Sequence, residues 1–121
     1  MGHKQSILII EDEPIFRMNY RTVLESNGYI VREATTGIAG YDMIRQERPD
    51  LVLLDLILPE ANGFETLSKI RDLDKNLPVI IFTVLSSERD MEKALELGAS
   101  DFAVKGMEPP SAILHKITAL L

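Results

Sequence analysis

Four short apolar runs in this chain are each followed directly by polar or charged residues. Each run is three or four residues long and lacks the alternation of apolar and polar positions that marks a strand with one solvated face. Such runs predict strands that are covered on both faces. The residues that follow the four runs are Glu11 with Asp12, Asp55, Thr83 and Lys105.

Helical segments with recognisable boundary residues lie between these runs. Pro14 is favourable in a first helical turn, and Asn27-Gly28 favours a helix end. Ser87-Glu88-Arg89-Asp90 resembles a capping box, in which two side chains satisfy amides at a helix start. The predicted strands are 6–10, 29–34, 50–55, 78–83 and 101–104. The predicted helices are 14–26, one capped by Thr35 or Thr36 and reaching residue 46, 63–73, one from residue 87 to Gly98, and one from Pro109-Pro110.

Regular alternation of strands and helices predicts an α/β fold with a doubly wound, five-stranded parallel sheet and helices on both faces. A chain of 121 residues predicts one domain, spanning 1–121. In such folds ligands bind beyond the carboxyl ends of the strands, so the polar residues after the runs share one functional edge. The alternation alone leaves the order of the strands open.

Composition narrows the functional classes. The formal net charge of −6 argues against direct nucleic-acid binding, which needs a basic surface. The absence of cysteine excludes disulfides and cysteine-based metal or redox chemistry. No apolar run approaches the roughly 20 residues of a membrane span, and the N-terminus lacks the apolar region of a signal peptide. We therefore expect a cytoplasmic protein without membrane association.

Three acids at one sheet edge require positive charge. Two like charges about 4 Å apart repel by roughly 4 kcal/mol at an effective dielectric of about 20. Lys105 supplies one positive unit, and a hydrated Mg²⁺ ion, which prefers oxygen ligands, supplies two. Mg²⁺ beside a spare carboxylate suits phosphoryl transfer, with Asp55 as the central nucleophile and Thr83 bonded to a phosphoryl oxygen.

The residues at this predicted edge form one combination of motifs. They are Glu11-Asp12, Asp55 with Pro59 and Gly63 after it, Thr83, and Phe102 three residues before Lys105. The combination resembles the receiver domains of bacterial two-component response regulators, over nearly the whole chain from Ser6 to the last helix. The resemblance implies a flavodoxin-like fold with the strand order 2-1-3-4-5.

The resemblance also implies a function and a set of site residues. Asp55 would accept a phosphoryl group from a sensor histidine kinase or a phosphotransfer protein. Asp12, Asp55 and the backbone carbonyl of Ile57 would ligate Mg²⁺, with Glu11 acting through water. The protein would then be a phosphoacceptor that assists its own phosphorylation and dephosphorylation, rather than an enzyme in the ordinary sense.

Thr83 and Phe102 would form the switch pair by the same resemblance. Thr83 would move to the phosphoryl group and Phe102 would turn inward. The face built from the fourth helix, the fifth strand and the fifth helix would then change its partners, an effector domain, an output protein or a second copy of the chain. In the last helix, Leu114 and Leu121 form a row beside the core-facing stripe and predict a partner contact. Whether the domain stands alone or belongs to a longer regulator is left open.

Three departures from the family pattern surround the site. Gly106 stands where most receivers have proline after the lysine, which predicts a trans bond and a looser loop around Lys105. Val84 follows Thr83, where a small residue is usual, and it should narrow access to the phosphoryl group. Ile57 and Leu85 replace residues that are polar in many receivers. We therefore predict slow phosphorylation by small donors and altered autodephosphorylation.

Other interpretations stay open at this point. Each site residue taken singly has an ordinary structural explanation, such as an acid near a helix start or a solvated loop lysine. A receiver-like docking module with weak or lost phosphorylation is one alternative, and a flavodoxin-like cofactor binder is another. The acids after the first strand would repel a flavin phosphate. A phosphohydrolase would need a second acid–base carboxylate, which Ile57 cannot provide.

Overall fold

The computed structural model describes residues 4–60 and 62–121, in which five strands alternate with five helices. The strands are β1 (Ser6–Ile10), β2 (Ile30–Ala34), β3 (Leu51–Leu54), β4 (Val79–Thr83) and β5 (Asp101–Val104). The helices are α1 (Pro14–Ser26), α2 (Gly37–Gln46), α3 (Gly63–Leu73), α4 (Glu88–Glu96) and α5 (Pro110–Leu120).

All strand pairs are parallel, and the sheet order is β2-β1-β3-β4-β5. This confirms the predicted fold class and the strand order that the resemblance implied. Because β1 lies between β2 and β3, the order reverses there, and the loops after β1 and β3 flank the switch point where ligands bind in open α/β sheets. Ile10 pairs with Leu54, so the residues that follow these two strands are neighbours in space.

The sheet is covered on both faces. Helices α1 and α5 cover one face and α2, α3 and α4 the other. Every residue of β3 and β4 is buried, which explains why their sequences lack alternation. Leu114, which belongs to the row of α5 that predicts a partner contact, packs partly against the core. None of the helices in the described part of the chain is long and apolar enough to cross a lipid bilayer.

Helix caps place the boundaries close to the predicted ones. The hydroxyl of Thr36, rather than Thr35, accepts a hydrogen bond from the Ala39 amide at 3.0 Å and caps α2. Ser87 caps α4 by accepting from the Asp90 amide at 3.2 Å. The Asp90 carboxylate accepts the Ser87 hydroxyl at 2.8 Å, so only one amide is satisfied by this pair of side chains. The largest shift is at the end of α4, which lies at Glu96, two residues before the predicted Gly98. Strand β3 is one residue shorter than predicted at each end.

Candidate functional site

The three predicted acids meet at the carboxyl ends of β1 and β3. Oxygen atoms of Glu11, Asp12 and Asp55 lie within 4.8 Å of one another. Glu11 is fully buried, Asp55 is 4% exposed and Asp12 faces solvent. Burying two carboxylates is costly without partners of opposite charge, so the cations around this cluster decide how it can exist.

Lys105 supplies the buried positive charge of the site. Its ammonium group forms ion pairs with Glu11 Oε1 and with Asp55 Oδ2, the latter at 2.8 Å. The side chain of Lys105 is only 2% exposed. Since this one ammonium pairs with two of the three acids of the cluster, the acidic groups outnumber the positive charge that the lysine supplies.

Two aromatic rings hold the ammonium group from the other sides. Lys105 Nζ lies 4.3 Å from the centre of the Phe16 ring and 4.9 Å from that of the Phe82 ring, which are cation–π distances. Sequence reasoning missed both rings. Phe82 carried a signal, because it immediately precedes Thr83 at the end of an apolar run; Phe16 in α1 carried none beyond its nearness to the acids.

Burial sets the protonation behaviour of the cluster. Desolvation raises the pKa of Glu11 to about 7, against the lowering effect of the hydrogen bond from Lys105, and the charge of Asp55 raises the pKa further. Desolvation alone would lower the pKa of Lys105, but hydrogen bonds to Asp55 and Glu11 outweigh it and raise the pKa. The lysine is therefore charged at neutral pH. An added cation at the cluster would favour the ionised form of Glu11.

Arg17 holds the loop that carries the first two acids. Its Nη1 donates to the carbonyls of Glu11 at 3.0 Å and Asp12 at 2.9 Å, and its Nε lies 3.3 Å from Glu33 Oε1. Sequence reasoning missed this residue as well. Its position one helical turn after Glu13 places it near the loop, yet its two partners within the loop are backbone carbonyls, which no side-chain pattern reveals.

The loop after β3 holds the Asp55 side chain in place through a backbone hydrogen bond. The Ile57 amide donates to Asp55 Oδ1 at 3.1 Å, while Asp55 Oδ2 faces Lys105. Gly63 begins α3 directly against this loop, because a Cβ there would lie 2.4 Å from the Asp55 carbonyl oxygen. This close approach is a physical reason for the glycine in the motif, since any side chain would push the helix away from Asp55.

Thr83 and Phe102 lie on neighbouring strands but in different environments. Thr83 is fully buried at the site edge, where its carbonyl accepts from the Lys105 amide at 2.8 Å and its hydroxyl from the Leu85 amide at 3.4 Å. Phe102 is 6% exposed and packs in the core beneath α2, α3 and α4. The ring thus already lies inward in this structure, and its movement on phosphorylation stays a prediction.

The residues that depart from the family pattern lie around the rim of the site. The side chains of Ile57 and Val84 are about half exposed, and Leu85 packs partly on the core. The peptide bonds of residues 4–60 and 62–121 are all trans, as predicted for Gly106. The loop differs from the loose connection that we expected, because the Met107 amide closes a turn onto the Val104 carbonyl at 3.3 Å. Gly106 occupies the third position of that turn with a φ of 81°, a conformation that favours glycine.

Comparisons with known proteins agree with this geometry. The family model of the response regulator receiver domain matches residues 7–118. The nitrate/nitrite response regulator protein NarL of Escherichia coli (strain K12) is 35% identical over 118 residues, which cover 94% of this chain and 55% of NarL. The chemotaxis protein CheY of Halobacterium salinarum is 30% identical over 109 residues, which cover 90% of this chain and 91% of CheY.

Solved structures give the same result. A CheY-like response regulator receiver domain from Methanospirillum hungatei JF-1 has a TM-score of 0.92 and 30% identity, covering 97% of this chain and 93% of that one. The BeF3-activated N-terminal receiver domain of Klebsiella pneumoniae RstA has a TM-score of 0.90 and 30% identity, covering 95% and 97%. The chain spans about half the length of the first curated relatives that it matches. With strand order, acidic cluster and family match in agreement, this chain belongs to the response regulator receiver domains of two-component signalling systems.

Proposed function

We propose that this receiver domain is a phosphorylation-dependent switch that accepts a phosphoryl group on Asp55 from a sensor histidine kinase or a phosphotransfer protein. One observation carries the proposal. The carboxylate of Asp55 is buried; one of its oxygens accepts a hydrogen bond from the Lys105 ammonium group, and the other accepts one from the Ile57 amide. It belongs to a cluster in which negative charge exceeds positive charge. The whole chain, 1–121, is proposed to act as this one domain.

The donor set fits Mg²⁺. All three acids offer hard oxygen atoms within one small volume, and the cluster lacks the positive charge to balance them. Asp12, Asp55 and the backbone carbonyl of Ile57 are proposed as direct ligands, with Glu11 acting through water. When bound, Mg²⁺ would neutralise charge on the oxygens of the transferring phosphoryl group.

The chain's own residues have distinct roles in the transfer. A carboxylate oxygen of Asp55 attacks the phosphorus of the donor phosphohistidine; an O–P bond forms while the N–P bond breaks, and the donor nitrogen keeps the electron pair. The Lys105 ammonium attracts the phosphoryl oxygens, and the Thr83 hydroxyl donates to one of them. Arg17 keeps the Glu11–Asp12 loop in place during this exchange.

Switching is proposed to begin at Thr83. Phosphorylated Asp55 would carry about one and a half to two negative charges, in place of the single charge of the carboxylate. If the Thr83 side chain turns to donate to a phosphoryl oxygen, its hydroxyl would lose the weak hydrogen bond of 3.4 Å that it accepts from the Leu85 amide. The loop after β4 would then shift, and with it the environment of Phe102 and the face of α4, β5 and α5. That face is proposed to bind an effector domain, an output protein or a second copy of the chain. A cytoplasmic location stays a prediction.

Intact mass measurement tests the central step. Wild type incubated with MgCl₂ and acetyl phosphate should gain the mass of one phosphoryl group, and Asp55→Asn should not. Hydroxylamine, which cleaves acyl phosphates, should remove the added mass. Wild type that stays unmodified with both acetyl phosphate and a phosphorylated histidine donor would contradict the proposal and favour a docking module without phosphorylation.

A second measurement tests the switch. Beryllofluoride mimics a phosphoryl group without a covalent step, so its addition with Mg²⁺ should move backbone amide resonances of Thr83, Phe102 and the α4–β5–α5 face. The Thr83→Ala variant should bind beryllofluoride with much smaller shifts at Phe102. Equal shifts in both proteins would remove Thr83 from the switch.

A further inference from the structure

The loop between β5 and α5 contains a side-chain contact that the proposed transfer does not use. The Glu108 carboxylate reaches back across the loop and accepts a hydrogen bond from the Val104 amide at 3.0 Å. The Val104 carbonyl accepts from the Met107 amide at 3.3 Å. Both backbone polar groups of Val104 are therefore bound by the loop that follows it, and Lys105 is the first residue of that loop.

The position of β5 explains why this amide needs a partner. In the described sheet, β5 is an edge strand that pairs only with β4. The Lys105 amide points towards β4 and donates to the Thr83 carbonyl at 2.8 Å. Since successive amides of a strand point to opposite sides, the Val104 amide faces the open edge, where it has no neighbouring strand. Glu108 takes the place of that missing strand for one hydrogen bond.

Further charges orient the Glu108 side chain. Its Oε1 lies 3.8 Å from Lys116 Nζ, and the same ammonium lies 3.5 Å from Asp101 Oδ1 at the start of β5. Lys116 in α5 thus draws the carboxylate towards the sheet edge, while the second oxygen of Glu108 accepts the amide. The Glu108 side chain is 30% exposed and does not belong to the hydrophobic core, so its replacement should leave the core intact.

We propose that Glu108 is a positioning residue that aims Lys105 at Asp55. Glu108 holds the Val104–Met107 turn closed, which fixes the direction in which the next side chain leaves the strand. Gly106, with its φ of 81°, makes the turn accessible but does not itself restrain it. This inference rests on the proposed function, in which Lys105 attracts the phosphoryl oxygens.

Two variants of Glu108 separate positioning from charge. Glu108→Ala removes the acceptor, whereas Glu108→Gln keeps an oxygen that can accept from the Val104 amide and removes only the charge that faces Lys116. Asp72→Ala, which removes an exposed carboxylate in α3 outside the proposed binding face, is the matched control. For each protein, the phosphorylation rate is measured at saturating acetyl phosphate, together with the Mg²⁺ dissociation constant and the NMR signal of the Lys105 ammonium group.

The expected result is a selective loss. Glu108→Ala should lower the saturating rate about threefold to tenfold, the range that one hydrogen bond supports. Its Mg²⁺ dissociation constant should stay within about twofold, because the proposed ligands lie on other loops. The Lys105 ammonium signal should move towards that of exposed lysines. Glu108→Gln and Asp72→Ala should resemble wild type in all three measurements.

Other results would overturn the inference. An unchanged Lys105 signal in Glu108→Ala would show that the turn needs no such support, and equal losses in Glu108→Ala and Glu108→Gln would make charge the cause. If wild type takes up no phosphoryl group, the proposed function fails, and the Lys105 signal in the two variants still decides the positioning role by itself.

Discussion

The sheet has one edge where its parallel strands start and another where they end. The pKa values of carboxylates at these two edges are shifted in opposite directions. At the edge formed by the strand starts, Asp74 accepts from the Asn76 and Leu77 amides at 2.9 and 3.0 Å and from Arg48 Nε at 2.6 Å. The pKa of Asp74 is lowered, mainly by the hydrogen bond from Arg48. At the edge formed by the strand ends, burial raises the pKa of Glu11 to about 7.

This difference separates acids that stabilise the fold from acids that cost stability. A lowered carboxyl pKa means that the folded state favours the ionised form, and a raised one means the reverse. Asp74 is surrounded by donors, whereas Glu11 shares one lysine with Asp55 and has a third acid nearby. Acids that remain poorly compensated in the folded chain are the ones available for a cation and for chemistry.

The largest expected effect comes from removing the cation at each edge. Lys105→Ala should lower the rate of Asp55 phosphorylation by acetyl phosphate about 100-fold, because the phosphoryl oxygens lose their charged donor. Arg48→Ala, which removes the cation paired with Asp74, should leave the rate within about twofold. Intact mass against time measures both rates. A similar loss in the two variants would end the distinction between the edges.

Neutralising one acid at each edge should change stability in opposite directions. Glu11→Gln should raise the free energy of unfolding by roughly 1 to 2 kcal/mol at pH 7.5 without divalent cations, because one buried negative charge is removed. Asp74→Asn should lower it by about 1 kcal/mol, because Arg48 loses an ionised partner. Urea titration in EDTA measures both values. A destabilised Glu11→Gln protein would contradict the assignment of Glu11 as a costly acid.

The same two acids predict opposite pH dependences in EDTA. The pKa of Glu11 is raised, so the folded state holds an extra proton between the ordinary carboxyl pKa and about pH 7, and stability should fall as pH rises through that window. The pKa of Asp74 is lowered, so its stabilisation is present above the ordinary aspartate pKa and is lost as pH falls below it. The melting temperature is measured from pH 3 to 8 for wild type, Glu11→Gln and Asp74→Asn. Glu11→Gln should reduce the fall in melting temperature towards pH 7, and Asp74→Asn should reduce the fall at acidic pH.

The smallest expected effect concerns the rim of the site. Val84 is about half exposed beside Thr83, and its bulk should restrict small donors. Val84→Ala should raise the rate with acetyl phosphate about threefold, with little change in the free energy of unfolding. Leu73→Ala, another exposed apolar residue, serves as the control far from the acids. Equal rates for Val84→Ala and wild type would remove Val84 as a barrier.

Much of the site was predictable because it depends on where strands end. The apolar runs before Glu11, Asp55 and Thr83 identified the strands, and parallel pairing then placed their ends at one edge. The capping residue Ser87 was predictable for a similar reason, since its partner is three residues away. Arg17 and Glu108 were missed because the contacts through which each holds its loop are made to backbone groups, which carry no side-chain signal.

By itself the sequence determined the order of elements, the edge that carries the acids and the helix boundaries, because periodicity and capping act over a few residues. The tertiary structure decided which charges meet. Lys105 pairs with Glu11 across 94 residues of chain and with Asp55 across 50, and the rings of Phe16 and Phe82 join them from different elements. Such contacts follow from strand order and from packing of helices on the sheet, which are set by burial of the whole core rather than by any local pattern.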